Sequence, residues 1–255
     1  MKIWSNIALA ITAGLFGLVV GAHGLQGAEI KILSTNAVTE VMADLVPEFE
    51  RATGHKVVAT YEPTSAIVAR IKQGETADAV ILIKQAVEEL KGMGKVVAGT
   101  QADLAKTSLA LAVRSGAPKP DIGTVEAFKQ AMLNAKSIAS PEVGASGLHL
   151  QRVFERLGIA EQMKPKIKLV KGAAPTGELV TRGEAEMAVH MMSELLPVAG
   201  IDIVGPFPGD LHFEIVVTGA VSPATKDPAA AEALIKFLAS PAAAAVLKKR
   251  GMERA

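Results

Sequence analysis

Three short polar segments each follow an apolar run and precede a predicted helix. They are Ser34-Thr35-Asn36, Pro63-Thr64-Ser65 and the glycine-rich stretch Ser140-Pro141-Glu142-Val143-Gly144-Ala145-Ser146-Gly147. Backbone N–H groups at the start of a helix lack partners within the helix, and the helix dipole places partial positive charge there. The segments therefore predict a site for a compact anion. The alternative is that their hydroxyl groups only cap the helices.

The candidate ligand contacts in these segments are hydroxyl, amide and glycine backbone groups. They are Ser34, Thr35 and Asn36 in the first segment, Thr64 and Ser65 in the second, and Ser146 and Gly147 in the third. Two closely spaced glycines in the third segment predict a backbone that a ligand approaches closely. A tight turn between a strand and a helix would have the same composition.

Charged and titratable side chains near the same segments are further candidates. Arg70 follows Ser65 on the predicted helix, where its guanidinium either binds a carboxylate through two hydrogen bonds or faces solvent. His149 follows the glycine-rich segment, and His190 ends an apolar run. Each histidine is a candidate site residue, and each also has a purely structural alternative.

Composition and residue spacing argue against several other classes of site. The chain has 255 residues, a net charge of +1 and 4% aromatic residues, so it lacks the basic surface typical of nucleic-acid binding. Its five histidines are dispersed and it has no cysteine, so we predict no metal site. The sequence contains neither a G-x-S-x-G turn nor a P-loop, and we predict no cofactor.

The first residues have the pattern of a secretory leader. A basic start at Met1-Lys2 precedes an uncharged apolar run from Ile7 to Val20, and small residues follow it. We predict that 1–28 is a signal peptide, cleaved after Ala22 or Ala28, and that the mature protein is periplasmic. An uncleaved membrane anchor is the alternative, but the run is short for a span of about 20 residues.

Beyond the leader, strand-like and helical patterns alternate, which is typical of an α/β fold. Runs at 29–33, 56–61 and 79–83 predict strands of one βαβαβ unit, and a second unit begins near Ser108. The last strand-like run, at 213–221, would return the chain to the first unit. We therefore predict two lobes, 29–111 plus 216–255 and 112–215. Ligands of such sheets bind outside the carboxyl ends of the strands.

Four sequence blocks resemble those of periplasmic solute-binding proteins, in particular the molybdate-binding branch. The blocks are Ile32-Leu33 with Asn36-Ala37-Val38-Thr39-Glu40, Phe49-Glu50-Arg51-Ala52-Thr53-Gly54, Ile71-Lys72-Gln73-Gly74-Glu75-Thr76-Ala77-Asp78, and Gly183-Glu184-Ala185-Glu186. The resemblance implies a type II Venus-flytrap fold, with a mixed sheet in each lobe and two crossover strands. It also implies a monomer that captures a small anion, an oxyanion or an organic polycarboxylate, for an ABC transporter permease.

The same resemblance implies where ligand contacts would lie. Ala37 stands where the molybdate-binding branch has its first serine, and Thr64 or Ser65 stands at the second. A backbone contact falls within 144–147, and His190 or Met191 stands at the position of a tyrosine. Two of the hydroxyl groups typical of the branch are thus absent. The mixed donor set that remains suits a carboxylate better than a tetrahedral metal oxyanion.

An enzymatic alternative rests on a second resemblance, since aconitate isomerase is similar to this branch. Moving a double bond within a tricarboxylate requires a bound polyanion and a base beside an acidic carbon. The candidate proton carriers would be His149, His190 and Glu142. The groups holding the carboxylates would be Ser34, Asn36, Ser65, Ser146 and Arg70. Both functions use the same cleft, so the sequence leaves the choice open.

Overall fold

The structure, a computed structural model, describes residues 27–171 and 175–255. The predicted leader lies outside the described residues except for Gly27 and Ala28. The Ala28 N–H donates to His55 Nδ1 over 3.0 Å, and its carbonyl accepts from the Lys56 N–H over 2.8 Å. Backbone contacts with the rest of the fold thus begin immediately before the first strand.

The first sheet begins with three parallel strands connected by helices. The strands are β1 Glu29–Thr35, β2 Lys56–Glu62 and β3 Ala79–Ile83, and the helices are α1 Thr39–Thr53, α2 Thr64–Lys72 and α3 Lys84–Gly92. Parallel pairing places β1 between β2 and β3. Helix α1 ends where Gly54 takes the left-handed conformation at φ 76°, which glycine adopts without strain.

Strand periodicity sends alternate side chains of this sheet to opposite faces. Ile32 and Ile81 pack with α1, whereas Leu33 and Leu82 pack with α2 and α3. Burial on both faces explains why β3 is an uninterrupted apolar run, as parallel strands usually are. The result is a three-layer α/β/α arrangement.

The second sheet has the same three-layer arrangement. Its elements are α4 Val125–Asn134, β5 Ile138–Pro141, α5 Ala145–Arg156, α6 Ala160–Met163, β6 Ile167–Val170, α7 Glu178–Thr181, β7 Met187–Met191, α8 Met192–Leu195 and β8 Ile201–Pro206. Strand β5 lies between β6 and β7 and is parallel to both. On one face, Phe128 and Phe207 pack with ring centroids 4.5 Å apart.

One long strand, β4 Ala102–Arg114, belongs to both sheets. Its first half pairs antiparallel with β9 Glu214–Val221 in the first sheet, and its second half pairs with β7 and β8 in the second sheet. The chain returns at Phe213, whose carbonyl accepts from the Leu109 N–H over 2.8 Å. The lobe boundaries predicted at 111/112 and 215/216 lie within β4 and β9, close to these points.

The C-terminal helices complete the first lobe. They are α9 Pro228–Leu238 and α10 Ala244–Lys249, and Asp227 caps α9 by accepting from the Ala230 N–H over 3.0 Å. Arg250, which follows α10, forms hydrogen bonds of 2.9 Å to both carboxylate oxygens of Asp44 on α1. In the described part of the chain, no single helix is long and apolar enough to cross a membrane; the bent pair formed by α9 with 241–249 meets the test by length and composition only.

Candidate functional site

A cleft of about 1590 Å³ separates the edges of the two sheets. The carboxyl ends of the parallel strands of both sheets line it. These strand ends are Thr35, Tyr61 and Ile83 in the first sheet and Pro141, Val170 and Met191 in the second. This is the position at which α/β sheets bind ligands.

The wall formed by the first sheet is rich in uncharged hydrogen-bonding groups. Thr35, Asn36, Thr64 and Ser65, four of the predicted ligand contacts, all line it. The short 3₁₀ turn 36–38 and helix α2 both begin without a side-chain cap. The first backbone N–H groups of these segments are therefore available to an anion in the cleft.

Tyr61 lies on the same wall and was not predicted as a site residue. It is the last-but-one residue of β2 and pairs with Ser34 of β1. Burial raises the pKa of its phenol above the ordinary value of 10.0, so the hydroxyl stays protonated at neutral pH and can donate a hydrogen bond. Its place at the carboxyl end of a predicted strand was a usable signal.

The wall formed by the second sheet contains the start of α5. Glu142 and Ser146 line it, and α5 begins after Gly144, whose φ of 93° favours glycine. Gly147 does not line the cleft. A Cβ atom there would lie 2.2 Å from the Pro141 carbonyl oxygen, so glycine lets the first turn of α5 pack against the end of β5. This glycine positions the helix start.

His190 and Glu194 form a close pair on the same wall. His190 Nδ1 lies 3.0 Å from Glu194 Oε2 and 2.8 Å from the Met191 backbone nitrogen. The ring nitrogen has either one lone pair or one hydrogen, so only one of these contacts is a hydrogen bond in a given tautomer. Nε2 has no hydrogen-bond partner among the described residues, and the side chain lines the cleft. His190 is therefore the histidine that can meet a ligand.

Besides Gly147, three sequence-predicted residues are not brought to the cleft. Ser34 is fully buried, and its hydroxyl donates to the Thr35 carbonyl over 3.3 Å. Arg70 points to a different surface of α2, where it binds the carboxylates of Glu62 and Glu75.

His149 is the third of these residues. Its ring stacks on Phe213 at a centroid distance of 4.3 Å, and its Nε2 lies 3.1 Å from the Leu211 carbonyl oxygen. Burial lowers its pKa from the ordinary value of 6.5, so the neutral ring is favoured. These contacts replace the ligand and proton-transfer roles that its place after the glycine-rich segment suggested.

The charges around the cleft are mostly paired. Lys72 binds Glu89, and Arg182 binds Glu178 and Glu184. Arg152 on α5 lines the cleft and forms no ion pair with a described residue. An anion would therefore meet uncharged donors on both walls and, at the rim, the side chain of Arg152, a cation that no described carboxylate pairs.

The whole described fold corresponds to one known family. A family model described as bacterial extracellular solute-binding protein matches residues 30–253. The chain belongs to this family. The match confirms the resemblance that the four sequence blocks predicted, and the two-lobed α/β fold with it.

Among curated relatives, the solute-binding protein is similar to both kinds of protein considered above. It is 34% identical over 252 residues to an aconitate isomerase of a Pseudomonas species, with 95% of each chain covered. It is 30% identical over 256 residues to the molybdate-binding protein ModA of Azotobacter vinelandii, with 97% of this chain and 96% of that one covered.

Solved structures of other solute-binding proteins share the fold. The periplasmic molybdate-binding protein of Azotobacter vinelandii superposes with a TM-score of 0.72 at 20% identity, covering 88% of this chain and 98% of that one. The sulfate-binding protein SubI of Mycobacterium tuberculosis gives 0.71 at 16% identity, covering 88% and 86%. At these identities the likeness shows the fold of the solute-binding protein and not its ligand.

Proposed function

We propose that this protein captures a small anion in the cleft, in the periplasm, and delivers it to an ABC transporter permease. The observation that carries the proposal is the convergence of uncharged donors from both walls, with Asn36 and Ser65 on one and Ser146 on the other. Neutral donors at helix starts can bind an anion without a cationic side chain in the site. Membership of the solute-binding family supports the transport role, and the predicted leader supports the location.

Within the class of small anions, the cleft favours an organic polycarboxylate. Ala37 lines the cleft and offers no side-chain hydroxyl. Tyr61 and the rim residue Arg152 instead supply donors at separate places along the cleft. Groups spaced in this way suit a ligand with several carboxylates better than a single tetrahedral ion, because an arginine binds a planar carboxylate through two hydrogen bonds.

The binding proposal is tested by thermal unfolding of the purified protein with molybdate, tungstate, sulfate, phosphate, citrate, cis-aconitate and trans-aconitate. A ligand at 100 times its Kd adds about 2.7 kcal/mol to the free energy of unfolding. For a chain of this size that is a rise in Tm of roughly 5–10 °C. We expect the rise with a tricarboxylate, and stabilisation by molybdate and tungstate alone would contradict the polycarboxylate proposal.

A matched pair of variants locates the site. Ser65→Ala combined with Ser146→Ala removes one hydroxyl from each wall and should abolish most of the ligand-induced rise in Tm. Ser115→Ala is the control, because Ser115 bonds to Asp202 and does not line the cleft. An equal ligand response in the double variant and the control would place the anion elsewhere.

Isomerisation of a tricarboxylate is the second candidate function, and the His190–Glu194 pair favours it. His190 Nε2 would take a proton from the methylene carbon of trans-aconitate, the double bond would move, and the same proton would return to the former vinylic carbon. Atoms and charge balance in this exchange without a cofactor. The 34% identity to an aconitate isomerase supports the candidate.

Turnover separates the two candidates. Purified protein is incubated with trans-aconitate, and cis-aconitate is followed by proton NMR. Catalytic conversion favours the isomerase, because one equivalent of a binding protein releases its ligand unchanged. Binding without conversion leaves capture for transport as the function.

A further inference from the structure

Ser193 has a buried hydroxyl group with no hydrogen-bond partner in the described part of the chain. It lies in α8, three residues after His190, and is only 4% exposed. Among the buried side-chain oxygens and nitrogens of the described residues, its Oγ is the one that lacks a partner. Native structures rarely leave such a group unsatisfied, because burying it costs free energy.

The neighbours of Ser193 do not use this hydroxyl. The Ser193 N–H donates to Thr107 Oγ1 over 3.4 Å, and Thr107 donates its own hydroxyl hydrogen to the Gly251 carbonyl over 3.0 Å. The backbone of Ser193 is therefore fixed to β4 and the C-terminal segment. Its side-chain hydroxyl is left without a partner among the described residues.

The place of Ser193 in the cleft is specific. It lines the cleft together with His190 and Glu194, and α8 packs against the 3₁₀ turn that begins at Asn36. Ser193 thus lies where the wall of the second sheet meets that of the first. A ligand bound by Asn36 would therefore lie beside α8, the helix that carries Ser193.

We propose that the Ser193 hydroxyl donates a hydrogen bond to an oxygen of the bound anion and so contributes to affinity from the deep end of the cleft. The proposal rests on the proposed capture of an anion and adds a contact that the sequence did not indicate. An oxygen of the ligand would accept a hydrogen bond from the Ser193 hydroxyl. A ligand without acceptor atoms would leave that hydroxyl unpaired.

Ser193→Ala tests the proposal, with trans-aconitate and molybdate as the titrated anions in isothermal calorimetry. For an anion that the wild type binds, loss of a hydrogen bond to a charged group should raise the Kd at least about tenfold. The Tm of the empty protein should stay unchanged or rise, since the variant removes an unsatisfied buried group. The control is Ser222→Ala, because Ser222 is also buried but its hydroxyl accepts from the Ala224 N–H.

Each outcome has one meaning. A tenfold loss of affinity with an unchanged Tm supports the contact. A Kd within twofold of wild type would overturn the contact and leave the proposed function intact. A drop in the Tm of the empty protein as large as that of Ser222→Ala would also overturn it, because the hydroxyl would then stabilise the fold. If the wild type binds neither anion, both the capture of these anions and the role of Ser193 in it fail.

Discussion

His149 and His190 lie in the same lobe yet have different environments. The ring of His149 is stacked on Phe213 and held by a backbone carbonyl, whereas His190 lines the cleft with one ring nitrogen unpartnered among the described residues. Burial lowers the pKa of His149. The unfolded chain therefore binds a proton that the folded protein resists, and His149 reduces stability as pH falls below about 6.5.

This contrast predicts the effect of two matched substitutions on isomerisation. If the protein isomerises trans-aconitate, His190→Gln should lower kcat by at least about 100-fold, because general-base catalysis contributes a factor of that order. His149→Gln should change kcat by no more than a few-fold. The rates are measured by NMR, with the Kd of each variant measured by calorimetry. If the His190→Gln variant kept its activity, His190 would not be the base.

Residue types alone could place five polar residues on the cleft walls. Thr35, Asn36, Thr64, Ser65 and Ser146 follow predicted strands, and the structure places all five on the cleft walls. Sequence could not show that an acidic residue eight positions before Arg70 and another five after it would bind that arginine. Such pairings depend on how a helix and a strand pack, which local patterns do not encode.

At the scale of elements, a charged contact joins the C-terminal segment to the first helix. Arg250 after α10 binds Asp44 on α1 and lies 3.1 Å from Glu40 on the same helix. The hydrogen bond from Arg250 holds the pKa of Asp44 below its ordinary value of 3.8. The contact therefore stabilises the fold at neutral pH, and its contribution is lost as pH falls through the lowered pKa.

Asp44→Asn tests this contact. The variant should have a lower Tm than wild type at pH 7, and the difference should shrink as pH falls through the lowered pKa of Asp44, below which this carboxyl is protonated in both states. The effect should be small because the pair is partly solvated. Thermal unfolding at a series of pH values measures it. A Tm difference that is independent of pH would mean that the ion pair is not its cause.

The regular elements were predictable where one signal dominated. Strand β3 and the start of α9 agree with the sequence patterns, an apolar run in one case and Asp227-Pro228 in the other. Helix α3 was missed because it begins at Lys84, directly after β3, with no turn residue between them. Strand β8 was missed because it contains Asp202 and Gly205, and its pairing with β4 is a long-range contact.

At the scale of the whole molecule, the chain passes from one sheet to the other at two adjacent places. The first is the middle of β4, and the second is Phe213, just before β9. Rotation of one sheet relative to the other requires only small dihedral changes there. Asn36 and Ser146, on opposite walls, would then approach the same ligand.

We therefore expect the protein to become more compact on binding its anion. The radius of gyration of a compact chain of this length is about 18 Å, and closure should reduce it by roughly 1 Å. Small-angle X-ray scattering with and without the stabilising anion measures the change. The Ser65→Ala and Ser146→Ala double variant should show no decrease at the same concentration of anion. A wild-type protein that binds without contracting would be a rigid receptor.

The two crossing points have a consequence for how this molecule can be rebuilt. Residues 109 to 213 leave and re-enter the first lobe at neighbouring positions, which are held together by the hydrogen bond from the Leu109 N–H to the Phe213 carbonyl and by the adjoining pairing of β4 with β9. The second lobe is thus an insertion whose ends meet, and it can be exchanged as one cassette with the equivalent segment of a relative. One wall of the cleft would be inherited from each parent, so a chimaera made at this junction would recombine their ligand preferences.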